Sequence, residues 1–158
     1  MAVRQLAGAA VIGGVAIFGG VTAMGDDTVR DDSGAIVEAG GVGVFAIKYG
    51  DCLVAPLEGE VQSVEGVPCD QPHDSQAYDT FDLTGFDAFP GDALDEPAYN
   101  GCLDRFESFV GIPFEESILW VTFMSPTADG WAQGDREIQC LIIPESGTIT
   151  FDAKNSRT

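Results

Sequence analysis

Four cysteines follow an uncharged apolar segment, and this combination most constrains what the chain can form. Residues 6–24 carry no charged side chain, and Arg4 precedes them. As a helix at about 1.5 Å per residue, this segment approaches the ~30 Å hydrocarbon core of a bilayer. We expect residues 1–25 to be a single-pass signal anchor or a cleaved signal peptide, since Val21-Thr22-Ala23 resembles a cleavage point. Both export the remaining chain; a buried element of a soluble fold is the other alternative.

The cysteines themselves predict two disulfides. Their even number in an exported domain favours bridges. A zinc site would need closely spaced ligand pairs, whereas the gaps here are 17, 33 and 38 positions. Three connectivities are possible. We favour Cys52–Cys69, which closes a short loop, and Cys102–Cys140, which would join a helix to a later strand.

The charge of the chain limits its partners. The sequence has 26 acidic and 7 basic residues, a formal net charge of −19. This charge disfavours non-specific binding to nucleic acid or to an anionic lipid surface, and electrostatic partners should be cationic. A well-solvated surface explains the acidity most simply. Divalent-cation binding and adaptation to high salt are alternatives.

The exported part is predicted to be α+β, an antiparallel sheet with one main helix packed on it. Apolar residues recur at helical spacing between Gly91 and Gly111, at Ala98, Cys102, Leu103, Phe106, Phe109 and Val110. Strands are predicted over 42–49, 61–67, 76–83, 117–124, 136–143 and 148–151. We divide the chain into the anchor or signal over 1–25, an acidic linker over 26–43, a folded domain over 44–152 and a tail over 153–158.

Four blocks of the folded domain resemble a known family when they are read together. They are YGDCL at 49–53, VPCDQPHD at 67–74, the helix that reaches Cys102 and Gly111, and the segment from Pro126 to Cys140 with its Trp131 and Gly134-Asp135-Arg136. The pattern is similar to the actinobacterial septum formation domain family over residues 49–143. The resemblance implies a small exported or membrane-anchored domain associated with septum formation. It carries over no catalytic residue.

His73 is the first candidate for chemistry because it is the only histidine. With Asp70 and Asp74 it could form a metal site, or it could act as a general base. The structural alternative is that its ring binds a backbone carbonyl or Asp74 and orders the loop. We favour the structural alternative and predict no metal and no cofactor.

Arg136 is the second candidate, as one of two basic residues between Tyr49 and Asp152. We expect it to hold a hairpin through a bidentate pair with a carboxylate. Trp131 is expected to cover the core beside it. Asp51, His73, Trp131, Asp135 and Arg136 are all predicted to be structural.

The sequence as a whole favours a non-enzymatic interaction domain on the outer side of the cell membrane, or a secreted one if the signal is cleaved. It contains no nucleophile elbow, calcium-loop spacing or phosphate-binding context. The expected partner is a protein of the division or cell-envelope machinery, with the membrane contacted only through the N-terminal helix. The main alternative is a secreted acidic domain that binds divalent cations or a small ligand. A hydrolase is a third.

Overall fold

The computed structural model describes residues 25–56 and 59–158, together with the backbone of a two-residue strand at Ala9–Ala10. Apart from that strand and Gly25, the anchor or signal predicted over 1–25 lies outside the described residues. None of the helices within the described ranges has the length and apolarity to cross a membrane.

The main sheet has seven strands, in the spatial order β1-β8-β9-β7-β5-β6-β4. Its strands are β1 (Ala9–Ala10), β4 (Gly40–Gly43), β5 (Cys52–Val54), β6 (Ser63–Val67), β7 (Ser75–Asp82), β8 (Leu119–Pro126) and β9 (Glu137–Pro144). All pairings are antiparallel except that of β1 with β8. A separate hairpin pairs β2 (Val29–Arg30) with β3 (Ile36–Glu38). The predicted antiparallel sheet is confirmed.

The inner strand β9, between β8 and β7, is buried on both faces and contributes to two cores, one on each side of the sheet. Successive side chains of a strand point to opposite faces. Ile138, Cys140 and Ile142 therefore join the core beneath the main helix, whereas Leu141 packs with Val42, Leu53 and other apolar residues on the opposite face. This double burial explains why residues 138–143 are almost continuously apolar rather than alternating.

The predicted helix is confirmed as α1 (Asp95–Val110), preceded by a 3-10 turn over Gly91–Leu94. Asp95 and Glu96 lie in its first turn, where negative charge complements the helix dipole. Gly111 ends it with a φ of 90°, a left-handed conformation that glycine adopts without a Cβ penalty. The predicted stripe is buried apart from Leu103, which is half-buried. A second, short helix is α2 (Ala128–Ala132).

Both predicted disulfides are confirmed. Cys52 and Cys69 have Cα atoms 5.2 Å apart, and Cys102 and Cys140 have Cα atoms 5.4 Å apart. The first bridge ties the start of β5 to the loop after β6. The second fastens α1 to β9, as its position in the sequence predicted.

The segments at both ends of the predicted domain are packed onto it. Residues 26–43 form β2, β3 and β4, so the folded unit includes them. In the C-terminal segment, the N–H groups of Asn155 and Arg157 donate to the carbonyls of Phe109 and Val110, at 2.8 and 2.9 Å. These contacts satisfy carbonyls that the end of α1 leaves without intrahelical partners.

Two predicted strands differ from the structure. The strand predicted over 42–49 ends at Gly43 and continues as a 3-10 turn over Val44–Ala46. Residues 148–151 contribute only a single bridge, between Ile149 and His73. Apolar side chains favoured a strand in both places, but residues 44–49 and 148–151 form no ladder with a second strand.

Candidate functional site

A groove of about 460 Å³ opens on the surface where the β2–β3 hairpin, the start of β5 and the C-terminal segment meet. Residues 33–36 and 48–52 line two of its sides, with Val67 and Cys69 beside them. Asp152 and Lys154 supply the C-terminal side. Six of the thirteen lining residues belong to the first two blocks singled out in the sequence, and the Cys52–Cys69 bridge lies in its wall. We refer to it as the Tyr49 groove.

An ion pair connects the hairpin to the rest of the groove. Nη1 and Nη2 of Arg30 donate to the two carboxylate oxygens of Asp51, at 2.6 and 2.8 Å. Nε of Arg30 donates to Asp26, at 2.7 Å. Asp51 is buried and also accepts a hydrogen bond from the backbone N–H of Lys48, at 2.8 Å. Both carboxylate oxygens of Asp51 are therefore engaged within the protein.

The hydrogen bonds of this cluster favour the charged forms of Arg30 and Asp26. Hydrogen bonding to Asp51 raises the pKa of Arg30 above its usual value, despite the opposing effect of burial. Burial also raises the pKa of Asp26, but the hydrogen bonds from Thr28 and Arg30 outweigh it and lower that pKa to about 2. Arg30 and Asp26 are therefore charged at neutral pH. The sequence analysis missed Arg30 because it assigned residues 26–43 to a linker.

Gln76 on β7 fixes the C-terminal side of the groove. Its side-chain amide donates to the carbonyl of Gly50 at 3.0 Å and to Asp152 at 2.8 Å, and its carbonyl oxygen accepts from the N–H of Ala153 at 2.8 Å. Gln76 is fully buried, and three contacts satisfy its polar atoms as burial requires. A glutamine at the start of a mostly buried strand was the available signal, and the sequence analysis did not use it.

His73 and its neighbours do not converge on a metal site. The His73 ring is fully buried, and its Nδ1 donates to the carbonyl of Gln71, at 2.8 Å. Asp74 accepts from the N–H of Ala55 and the hydroxyl of Ser75, at 3.0 and 3.1 Å, while Asp70 is exposed. In residues 25–56 and 59–158, no group of three or more His, Cys, Asp or Glu side chains is placed to hold a metal ion.

Arg136 makes contacts of a different kind from those predicted. Its Cζ lies 3.8 Å from the centroid of the Trp131 ring, and its Nη1 donates to the carbonyls of Trp131 and Asp135, at 2.7 Å each. The predicted bidentate carboxylate pair is therefore wrong. Backbone carbonyls at the end of α2 are closer to the guanidinium than any acidic side chain among the described residues. Trp131 is buried, as predicted.

Three carboxylates lie together near Arg136. Burial raises the pKa of Asp135, with a further contribution from the charge of Asp82. Burial also raises the pKa of Glu137, to which the charges of Asp135 and Asp82 add. Asp135 accepts a hydrogen bond from the N–H of Glu137 at 3.0 Å, so it is held in the turn before β9. Clustered acids of this kind make the turn sensitive to pH.

Comparison with known proteins places the chain in a family. A family model described as "Septum formation" matches residues 49–155. No curated protein and no solved structure matches the chain. The matched segment contains Tyr49, Asp51, both disulfides and Lys154, whereas Arg30 and the hairpin precede it. Since the match spans more than half of the 158 residues, the chain belongs to the septum formation family.

Proposed function

We propose that this protein is a non-enzymatic interaction domain, held on the outer face of the cell membrane by its N-terminal segment during septum formation. Membership of the family associates the chain with cell division. The outer location, the tether and the binding role are our proposals.

The two disulfides support the outer location. Disulfides persist in oxidising compartments and are rare in the cytoplasm, where thiols are kept reduced. All four cysteines are paired in the described residues. The uncharged segment over residues 6–24 provides a route to that compartment and a means of remaining attached to the membrane.

The Tyr49 groove is the observation that carries the binding role. It is open to solvent and has a volume typical of small-ligand or peptide sites. Its buried polar groups serve structure: Asp51 is saturated by Arg30, and Gln76 by Gly50, Asp152 and Ala153. Among the described residues of the groove, these buried polar groups are engaged within the protein, which fits recognition better than catalysis.

Complementation tests this proposal. In cells that lack the chromosomal copy, the full chain should restore septation, and surface crosslinking should capture a division or envelope protein. A chain that begins at residue 26 should remain in the cytoplasm and fail. Residues 26–158 behind a cleavable signal peptide are the matched control, because they are exported but not tethered. Restoration of septation by the cytoplasmic form would overturn the outer location, and full activity of the secreted form would overturn the tether.

A further inference from the structure

The two lysines of the sequence lie at the same groove. Lys48 and Lys154 are the only lysines among 158 residues, and both line the Tyr49 groove. In a chain with 26 acidic side chains, scattered basic residues would be expected to pair with carboxylates over the surface. Lys48 does pair with a carboxylate, that of Asp26 at 3.6 Å, yet both lysines meet at this one site instead of being spread over the surface.

The ammonium group of Lys154 lies against an exposed aromatic ring. Tyr49 is 58% exposed, and Nζ of Lys154 lies 5.1 Å from the centroid of its ring. This distance lies within the range of a cation–π contact. The side chain of Lys48 is 57% exposed, and its Nζ is 3.6 Å from Asp26. Phe109 supports the ring from beneath in an edge-on contact, with the centroids 5.2 Å apart.

The carboxylates of the groove are engaged with the protein. Both oxygens of Asp51 bind Arg30, and Oδ1 of Asp152 accepts from Gln76 and from the backbone N–H of Lys154. A ligand that enters the groove therefore meets the ammonium group of Lys154, the ammonium group of Lys48 beside Asp26, and an aromatic surface. The acidic groups offer it little free hydrogen-bonding capacity.

We propose that the Tyr49 groove binds an extended acidic peptide segment of a partner protein. Acidic side chains pair with Lys48 and Lys154, and an apolar side chain between them packs on the Tyr49 ring. Gly34 and Gly50 leave open space where side chains would otherwise project, so a peptide backbone can approach closely. The inference names the partner chemistry of the site in the proposed function and rests on that proposal.

Charge favours a peptide over a membrane surface. A net charge of −19 repels an anionic bilayer as a whole, and a flat surface cannot enter a groove. A narrow segment brings its carboxylates to the lysines with little other contact. Each exposed ion pair contributes modestly, so the affinity should depend on both lysines and on the ring together.

The test is a binding titration of the full chain in detergent micelles. The probe is a fluorescent peptide in which Glu alternates with Leu and Ser, with a Gln-for-Glu peptide as its matched control. Lys48→Gln and Lys154→Gln should each weaken binding about 2- to 5-fold, and Tyr49→Ala should weaken it further. Arg157→Gln removes an exposed positive charge beyond the groove and should leave the affinity unchanged. The Tm of each lysine and arginine variant should remain that of the parent, and Tyr49→Ala is compared at a temperature at which it is fully folded, because it also loses the ring contact with Phe109.

Several results would overturn the inference. The first is that the Glu and Gln peptides bind equally well. The second is that Arg157→Gln weakens binding as much as Lys154→Gln does. The third is that the chain binds polygalacturonate or phosphatidylglycerol vesicles through the lysines but does not bind the peptide. The complementation experiment separates this failure from failure of the proposed function. If the exported chain restores septation but does not bind the peptide, only the inference about the groove is wrong. If the chain binds the peptide but also restores septation from the cytoplasm, only the proposed function is wrong.

Discussion

At the scale of single residues, Arg30 makes structural contacts that its position in a predicted linker does not indicate. Its side chain and that of Asp51 are 11% and 3% exposed, and their bidentate pair joins the hairpin to the family-matched segment. A buried pair is not necessarily more stabilising than a well-packed apolar pair, but losing one partner leaves a buried charge uncompensated. Removing Arg30 should therefore be costly mainly because it leaves the buried charge of Asp51 uncompensated.

We expect Arg30→Met to lower the free energy of unfolding by about 3–5 kcal/mol, the cost of leaving Asp51 buried without its partner. Urea denaturation measures this change. Adding Asp51→Asn should recover part of the loss, because the orphaned charge is then absent. Arg157→Met is the control and should have little effect. A loss below about 1 kcal/mol, the range of exposed pairs, would contradict this assignment.

Glu137 gives a prediction for pH. Its folded-state pKa is raised, so its protonated form favours folding; that stabilisation is fully present below its usual pKa of 4.5 and is lost as the pH rises through the folded value. Glu137→Gln should therefore raise Tm at neutral pH, and the gain over the parent should vanish in acid. Circular dichroism melts across this range measure it, with exposed Glu145→Gln as the control. An equal gain at all pH values would show that charge is not the cause.

Asp26 acts in the opposite direction. Because its pKa is lowered to about 2, its contribution to stability is present above its usual value of 3.8 and is lost as the pH falls through about 2. The hairpin should therefore loosen in strong acid, while the turn at Glu137 is relieved of repulsion.

At the scale of elements, the packing of β3 on β6 depends on Gly66. A Cβ at this position would lie 2.7 Å from Cδ1 of Ile36 and 2.8 Å from Cγ2 of Val42. The absence of a side chain allows the hairpin to rest directly on the sheet. The same contact buries Ile36 and helps form the wall of the Tyr49 groove.

We expect Gly66→Ala to destabilise the protein by about 1–3 kcal/mol, as overpacking of a filled core does. Gly41→Ala is a matched control on the neighbouring strand, since its Cβ would meet only Asp27 Oδ2, at 3.7 Å. Chemical denaturation of both variants measures the difference. If the two variants unfold alike, the hairpin does not press on β6 as described.

At the scale of the whole molecule, the two disulfides crosslink different regions of the fold. Cys52–Cys69 lies at the groove, and Cys102–Cys140 joins the helix to β9. In the chain-entropy model each loop closure contributes about 3–4 kcal/mol by restricting the unfolded chain. The domain also buries two apolar cores, so the bridges add to a fold that packing already favours.

We expect the domain to lie outside the cell with both bridges formed. Protease added to intact, wall-stripped cells should degrade it, and a thiol reagent added under denaturing conditions should label no cysteine without prior reduction. A cytoplasmic thiol protein provides the control for cell integrity. Protection from protease, or labelling of four free thiols, would place the domain inside.

The sequence by itself determined the elements that depend on local spacing. Apolar residues at helical spacing and a closing glycine predicted α1, and the positions of four cysteines favoured the pairing that the structure contains. These features were accessible because neighbouring residues specify them: a helical stripe repeats every turn, and glycine ends a helix through its own backbone freedom. The resemblance to the septum formation family was also visible in blocks of adjacent residues.

Only the tertiary structure shows which residues come together to form the Tyr49 groove. Arg30 reaches Asp51 across 21 positions, and Gln76 reaches Asp152 across 76. Lys48 and Lys154 come from the two ends of the domain. Such contacts depend on the order in which strands pair and on how the terminal segments pack, and no periodic pattern encodes either. The physical reason is that the residues next to a charged side chain do not indicate which distant residue it will pair with. The segments on both sides of the domain were therefore predicted to be a linker and a tail, although both pack on the folded domain.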